Sequence, residues 1–310
     1  MKYIVTGGAG FIGSNLVDKL INNGHEVIVI DNLATGKEEN LNPKAKLIQA
    51  DIFGCAPSGS HSVYTNSVAE AMEGADTVFH LAAMARVQPS IEKPHEFNNI
   101  NVCGTLNLLY LAHKVGIKRF VYSASSSAYG NATILPTPET APTDPVSPYG
   151  LQKLIGEEYC RMFSLVYGLE TVSLRYFNVF GERQATEGAY LLVTGIFTQQ
   201  RLNDKPMTIT GDGEQRRDFT YVGDVVSANI LASKSDKVGN GEVINIGNGD
   251  NRSVNQLADI VGGPRIYIDP VIEPRETLAD NQKARKLLGW EPTMTIDEWF
   301  PKYKESIGLS

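Results

Sequence analysis

Residues 1–20 read MKYIVTGGAGFIGSNLVDKL. Lys2–Thr6 is a short run of apolar and β-branched residues. Gly7, Gly10 and Gly13 follow as G-x-x-G-x-x-G, and residues 14–20 take helical spacing. Strand, glycine turn and helix in this order form the setting a dinucleotide fingerprint requires. The glycines let the backbone turn tightly and lie close to a pyrophosphate, while the helix N-terminus offers free N–H groups and a positive dipole end. A second apolar strand, Glu26–Ile30, ends in Asp31, eighteen residues after Gly13. An acid near that distance takes the adenosine ribose hydroxyls and repels a 2′-phosphate, which favours NAD over NADP.

The remaining chain repeats this alternation. Apolar runs at 46–50, 77–81, 119–123 and 171–175 read as strands, and 67–73, 94–115 and 149–167 as helices. The implied fold is α/β, a doubly wound parallel Rossmann-type sheet with ligands at the carboxyl ends of its strands. Beyond Phe177 the pattern loosens into glycine-rich turns around apolar runs at 207–209 and 243–246 and a helix at 222–232. The expected organisation is an NAD-binding domain over 1–177, with returns from about 220–242, and a smaller C-terminal substrate lobe over 178–310. Residues 54–66, with Pro57, Gly59 and several serines, read as a surface insertion.

Bulk properties narrow the function classes. A chain of 310 residues with 42% hydrophobic and 20% charged content has the composition of a soluble globular protein. A net charge of −7 and the absence of any basic run argue against nucleic acid or an anionic membrane as partner. The apolar start is five residues long and runs into glycines, unlike a signal peptide, and no stretch approaches the roughly 18 apolar residues of a membrane span. Cys55, Cys103 and Cys160 show no pairing pattern, which fits a reducing cytoplasm. The five histidines have no ligand spacing, so no metal site is expected.

Tyr149 and Lys153 fall at i and i+4 in YGLQK and share one helix face. Ser123, Ser125, Ser126 and Ser127 stand at the end of the strand over 119–123. A tyrosine with a pKa near 10 serves as a base at neutral pH only if its phenolate is stabilised, and a lysine ammonium one turn away does this electrostatically. A serine hydroxyl can share the proton. A Tyr…Lys pair alone could be two surface neighbours; alongside the glycine turn, Asp31 and the serine strand it reads as catalytic.

With these motifs the chain resembles the extended short-chain dehydrogenase/reductase family, and within it the NAD-dependent nucleotide-sugar epimerases. The matching stretches are TGGAGFIG (6–13), DNLATG (31–36), HLAA (80–83), NVCGT (101–105), YGLQK (149–153), LRYFNVFGERQ (174–184), GDGEQRRDFTYVGD (211–224) and LADNQKARKLLGWEP (278–292). The tight glycine spacing is that of the short-chain type. The resemblance implies a catalytic set of Ser125, Tyr149 and Lys153. It implies NAD contacts from Gly7, Gly10, Phe11, Ile12, Gly13, Asp31, Asn32, Thr35 and Gly36, and from Asp51 and Ile52 beside the adenine. Leu81, Ala82, Ala83 and Ser123 would line the cofactor, together with Tyr149 and Lys153 themselves, and Phe177 would lie near the nicotinamide. For the substrate it implies Ser125, Tyr149, Asn178, Arg217 and Thr277, with Asn178 and Arg217 on the diphosphate of a UDP-sugar. The alternative for Arg217 is a surface salt bridge with Asp218 or Glu214.

Related 4,6-dehydratases carry an Asp-Glu pair after the catalytic Ser/Thr, and decarboxylases keep the glutamate. Here those positions are Ser126 and Ser127, so dehydration and decarboxylation lose their proton donor. Epimerisation at C4 needs none. The expected activity is therefore a UDP-hexose 4-epimerase acting through a 4-keto sugar with transient NAD reduction. Thr277 stands where relatives specific for small C2 groups resemble one another in carrying tyrosine, which extends the expected substrates from UDP-Glc/UDP-Gal to UDP-GlcNAc/UDP-GalNAc. A second phosphate-binding arginine common among relatives is missing around Pro270 or has moved to Arg275. A UDP-glucuronate 4-epimerase, with Arg183 as the carboxylate partner, and a nucleotide-4-keto-sugar reductase stay open as alternatives. The helices over 94–115 and 149–167 pair across a two-fold axis in the family, so a homodimer is expected.

Overall fold

The structure, a computed structural model, describes residues 1–53, 63–185, 192–271 and 273–309, without the side chains of 63–66. The expected insertion over 54–66 lies outside the described residues up to 62. Its last residues open a helix, α2 (Val63–Met72), four residues earlier than the sequence pattern places it.

Seven strands form one parallel sheet. In chain order they begin with β1 (Lys2–Thr6), β2 (Glu26–Asp31), β3 (Lys46–Gln49), β4 (Thr77–His80), β5 (Arg119–Ser125) and β6 (Glu170–Tyr176). Three short strands follow, β7 (Val179–Phe180), β8 (Met207–Thr210) and β9 (Arg216–Asp218), then β10 (Thr220–Tyr221) and β11 (Asn240–Ile246). The sheet order is β11-β6-β5-β4-β1-β2-β3, all pairs parallel. Reversal of order on either side of β1 gives a doubly wound sheet, with its ligand crevice at the carboxyl ends. The apolar run at 243–246, expected with the looser C-terminal part, is instead the last sheet strand: β11 pairs with β6, from Val243↔Ser173 to Ile246↔Tyr176. Long-range backbone pairing, invisible to local pattern, recruits it.

The helices cover both faces. α1 (Phe11–Asn22) packs Leu16, Val17 and Leu20 onto Tyr3, Val5 and Val29, all buried. On the other face Ile4, Ile28, Val78, Phe120 and Tyr122 meet Leu108, Leu109 and Phe163. Each such side chain taken from water contributes about 1.5–3 kcal/mol, so two apolar layers on a central sheet hold this half together. The single helix expected over 94–115 is three segments. After α3 (Val87–Glu92) come α4 (Pro94–Asn98), one π-helical stretch (Asn99–Gly104) and α5 (Thr105–Lys114). The widened turn seats Asn101, whose side chain accepts the Met84 N–H (2.9 Å) and donates to Met84 O (2.8 Å) and Gln152 Oε1 (3.0 Å). α6 (Pro148–Tyr167) is capped by Ser147, with Pro148 in its first turn and Gly168 in left-handed geometry at its end. Gly156 lets it lie against Tyr122, whose hydroxyl would stand 2.2 Å from an added Cβ.

The rest of the chain builds a third core from Phe180, Phe197, Met207, Ile209, Leu257, Trp299 and Phe300. It is carried by α7 (Val193–Leu202), α9 (Val254–Val261) and α11 (Ile296–Ser306), while α8 (Val222–Lys234) and α10 (Gln282–Leu288) pack beside the main sheet. β12 (Asn251–Ser253) pairs antiparallel with β9, and β13 (Arg265–Ile268) parallel with β8. No helix among the described residues is long and apolar enough to cross a membrane.

Candidate active site

A cleft of about 1570 Å³ runs along the carboxyl ends of the sheet strands and under the C-terminal lobe. At one end stands the glycine turn. Gly7, at φ +71°, donates its N–H to Ile30 O (2.9 Å), and a Cβ on it would stand 2.7 Å from Ala82 N. Gly13 is closer still, since its Cβ would fall 2.1 Å from Gly7 O. The N-cap residue Gly10 brings no side chain, so no side-chain cap takes the first N–H groups of α1. Asp31 ends β2 and accepts N–H bonds from Ala9 (2.9 Å) and Leu33 (2.8 Å). Bare glycine backbone, an uncapped helix start and a carboxylate at the second strand's end fit a dinucleotide's pyrophosphate and ribose. Phe11, Ile12, Asn32, Thr35, Gly36, Asp51, Ile52, Leu81, Ala82 and Ala83 line the same cleft.

Beneath it, β1 and β4 are locked by His80. Its Nδ1 is 2.8 Å from Thr6 Oγ1 and its Nε2 is 2.8 Å from Thr105 Oγ1. Thr105 spends its hydroxyl proton on Asn101 O (2.7 Å), so Nε2 carries the imidazole proton and Nδ1 accepts from Thr6. Burial, helped by the charge on Lys153, pushes the pKa of His80 down to about 3, so the ring stays neutral.

The far wall holds the residues expected to be catalytic. Ser123, Ser125, Ser126, Ser127, Tyr149 and Lys153 all face the cleft. The Ser125 hydroxyl donates to Ser127 Oγ (3.1 Å) and accepts the Ser127 N–H (3.2 Å). Burial raises the Tyr149 pKa, while a hydrogen bond with Ser125 and the positive charge of Arg86 oppose that rise. Lys153 is buried and donates to Ser123 O (2.8 Å), with its Nζ 5.0 Å from the centre of the Tyr122 ring. Burial lowers its pKa to about 8, opposed by the charge of Glu157 and by Cys160. Glu157, one further turn along α6, forms two hydrogen bonds with Arg175 of β6 (2.9 and 2.7 Å). Arg175 also lies 4.4 Å over the Tyr129 ring.

Under the C-terminal lobe, Asn178, Arg217 and Thr277 line the cleft. Asn178 donates to Asp218 O (3.0 Å) and Thr277 Oγ1 (3.3 Å). Arg217 forms neither of the salt bridges weighed for it, with Asp218 or with Glu214; it is ion-paired with Glu273, whose other oxygen takes Gln215 Nε2 (3.3 Å). Asp218 turns inward, accepting three backbone N–H bonds from Asn248, Gly249 and Ala279 (2.8–3.0 Å).

Three residues considered from the sequence have partners of their own beside the cleft. The Phe177 side chain packs with Tyr129, Ala141 and Ala279, while its neighbours Tyr176 and Asn178 line the cleft on either side of it. Arg183 is held outside it by Asp18 (2.6 Å). Arg275, the alternative position for a second phosphate-binding arginine, pairs with Asp212 at the surface (2.8 Å). Arg86 lines the cleft and was missed, because nothing local in the sequence marks it. No group of metal-ligating side chains occurs among the described residues.

A nucleotide-binding crevice facing a Tyr–Lys–Ser wall defines a dinucleotide-dependent enzyme of the short-chain type. Residues 3–247 match the NAD dependent epimerase/dehydratase family, and the chain belongs to it. It is 34% identical over 318 residues to a UDP-glucose 4-epimerase of Mycolicibacterium smegmatis, covering 98% of each chain. Its fold superposes with a TM-score of 0.90 on the UDP-glucose 4-epimerase of Thermotoga maritima crystallised with UDP-glucose, at 39% identity over 99% of this chain and 100% of that one. The UDP-glucuronic acid 4-epimerase of Bacillus cereus, in complex with UDP-glucuronic acid and NAD, matches at 32% identity and TM-score 0.87 over 99% of this chain and 100% of that one.

Proposed function

We propose that this protein is a UDP-hexose 4-epimerase that interconverts UDP-Glc with UDP-Gal and takes the N-acetylated pair UDP-GlcNAc/UDP-GalNAc as well. The observation that carries this reading is the hydroxyl-only wall beside Tyr149: Ser125 meets the phenol, and Ser126 and Ser127 stand in the cleft where an eliminating or decarboxylating enzyme needs an acid. NAD, when bound, supplies the two-electron acceptor and donor through which a 4-keto sugar forms and is reduced. The chain's own residues do the rest. The glycine turn and α1 hold the pyrophosphate, and Asp31 holds the ribose. Tyr149 Oη takes the proton of the sugar's 4-hydroxyl and returns it, with Ser125 sharing the hydrogen bond. Asn178 and Arg217 hold the substrate diphosphate, with Glu273 giving up part of its hold on Arg217. Thr277 leaves room beside C2.

In this reading residues 1–177, with the returning segment, form the NAD-binding half and the remainder the sugar-nucleotide lobe. The working form is a cytoplasmic homodimer joined through α5 and α6. Tyr110, Leu151, Met162, Leu165, Val166 and Tyr167 support that pairing, since all are exposed, Leu165 by 76%. The test is to incubate the purified protein, without added NAD, with UDP-Gal, UDP-GalNAc and UDP-glucuronate, following the anomeric proton by NMR. Conversion of UDP-Gal and UDP-GalNAc to their 4-epimers is expected. No conversion even after NAD is supplied would refute the epimerase reading, and preferred conversion of UDP-glucuronate would replace the substrate.

A further inference from the structure

We propose that Asp218 is a positioning residue for the substrate clamp: its carboxylate fastens the cleft-lining Asn178, Arg217 and Thr277 to the carboxyl edge of the main sheet. The inference rests on the reading that this wall of the cleft receives the substrate diphosphate. Asp218 stands behind the wall, fully buried, at the end of β9 and next to Arg217. Its backbone carries two members of the wall. The Asp218 carbonyl accepts Asn178 Nδ2 (3.0 Å), and its N–H donates to Thr277 Oγ1 (3.2 Å).

The side chain reaches the other way. Oδ1 accepts the N–H of Asn248 (2.8 Å), and Oδ2 accepts those of Gly249 and Ala279 (both 3.0 Å). Asn248 and Gly249 belong to the turn that leaves β11, whose last residue, Ile246, pairs with Tyr176 at the end of β6. Gly247 of the same turn is bare against the carboxylate, since a Cβ there would stand 3.0 Å from Oδ2. Ala279 lies just beyond Thr277 in the chain. A single residue thus joins the end of the sheet, the strand that bears Arg217 and the segment that bears Thr277.

The carboxylate suits this duty for a reason of valence. It offers two acceptor oxygens with about four lone-pair sites and no hydrogen, so it meets three N–H groups at once. Asparagine keeps one acceptor oxygen and turns an NH₂ toward at least one of those donors, which must then move away. Burial pushes the Asp218 pKa up to about 7, against the pull of its three backbone bonds. The same chain supplies a control. Asp224 on α8 is equally buried and accepts the N–H (2.9 Å) and hydroxyl (2.6 Å) of Thr293, but none of its partners belongs to the clamp.

The experiment compares Asp218→Asn with Asp224→Asn on NAD-loaded protein at about pH 8, where the carboxylates are ionised. Calorimetry gives the Kd for UDP, and turnover of UDP-Gal gives kcat and KM. Asp218→Asn should raise Kd and KM together by about tenfold and keep kcat within about twofold, because a displaced clamp weakens ground state and transition state alike. Asp224→Asn should leave both constants in place even where it lowers the unfolding temperature. An unchanged UDP Kd in folded Asp218→Asn, or an equal rise in Asp224→Asn, would overturn the proposal. If Asp218→Asn does not fold, amide hydrogen exchange of the unaltered protein decides. Saturating UDP should slow exchange at 247–249 and 279 about tenfold and leave 293–294 alone, and unchanged exchange at 247–249 would overturn it. An unaltered protein that binds no UDP would instead remove the reading beneath it.

Discussion

Replacing Glu157 by glutamine perturbs stability and catalysis through one carboxylate. Glu157 is 2% exposed and Arg175 4%, and two hydrogen bonds join them at 2.9 and 2.7 Å. The guanidinium's third nitrogen, Nη1, already lacks a hydrogen-bond partner, so Arg175 has only the Tyr129 ring to fall back on. Breaking a buried pair from one side leaves a charge without its counter-charge, at a cost of about 3–5 kcal/mol. The second effect falls on Lys153. Its folded pKa of about 8 lies below the ordinary 10.5, so between those values the unfolded chain holds a proton that the folded chain has shed. Stability from this group therefore rises with pH across that window. Glu157 opposes the depression, and without its charge the pKa falls further, the window opens at lower pH, and Lys153 is less often an ammonium at neutrality. Urea unfolding at pH 7 should show the loss of about 3–5 kcal/mol, and the alkaline limb of kcat should move about one pH unit lower. Adding Arg175→Met should recover part of the stability but not the limb. A loss below about 1 kcal/mol with an unmoved limb would refute both halves of the reasoning.

Gly13→Ala would press a Cβ to 2.1 Å from Gly7 O and 2.9 Å from Gly8 Cα, all backbone that cannot step aside. The purified variant should carry little NAD, which release by acid and quantitation would measure; a full complement would contradict the close approach. Asp31→Ala removes the acceptor for the Ala9 and Leu33 N–H groups as well as the proposed ribose contact. Calorimetric titration of stripped protein should show a larger loss for NAD than for NADP, whereas equal losses would exclude that contact. Leu165→Glu combined with Val166→Glu charges the exposed end of α6 and should leave a monomer by light scattering. A wild-type monomer, or a dimer in the variant, would remove that interface.

What could be read from the chain alone follows the range of the interactions. Gly7, Gly10, Gly13 and Asp31 lie within one β–α–β passage, and Tyr149 and Lys153 on one helix, so spacing places them. Asp31 nevertheless has a duty spacing does not reveal, bracing the glycine turn through Ala9. Arg217 could be assigned to the cleft by motif, but its partner Glu273 comes from a separate loop. Spacing gives Phe177 a place beside the cleft but not its packing, since the side chain turns to Tyr129, Ala141 and Ala279 between the cleft-lining Tyr176 and Asn178. Arg86 was illegible because its place depends on a left-handed backbone and on Ser90 bridging two helices. β11 joins the sheet by pairing with a strand far earlier in the chain, where hydrophobic pattern carries no information.

The π-helical stretch at Asn99–Gly104 constrains how this chain can change length. A π turn holds one residue more than the α turn it replaces, and so acts as a phase shifter. Phe97 before it and Leu108 and Leu109 after it are all fully buried, which means both halves of the rod keep their apolar stripes inward only because of the extra residue. Deleting one residue there would let the rod relax to regular α-helix and turn one half against the other by about 100°. Either Phe97 or the leucine pair would then swing toward solvent, and Thr105 would leave His80. A residue gained or lost in a surface loop therefore costs this fold little, while a single-residue insertion or deletion within this rod would break the inward phase of one of its halves.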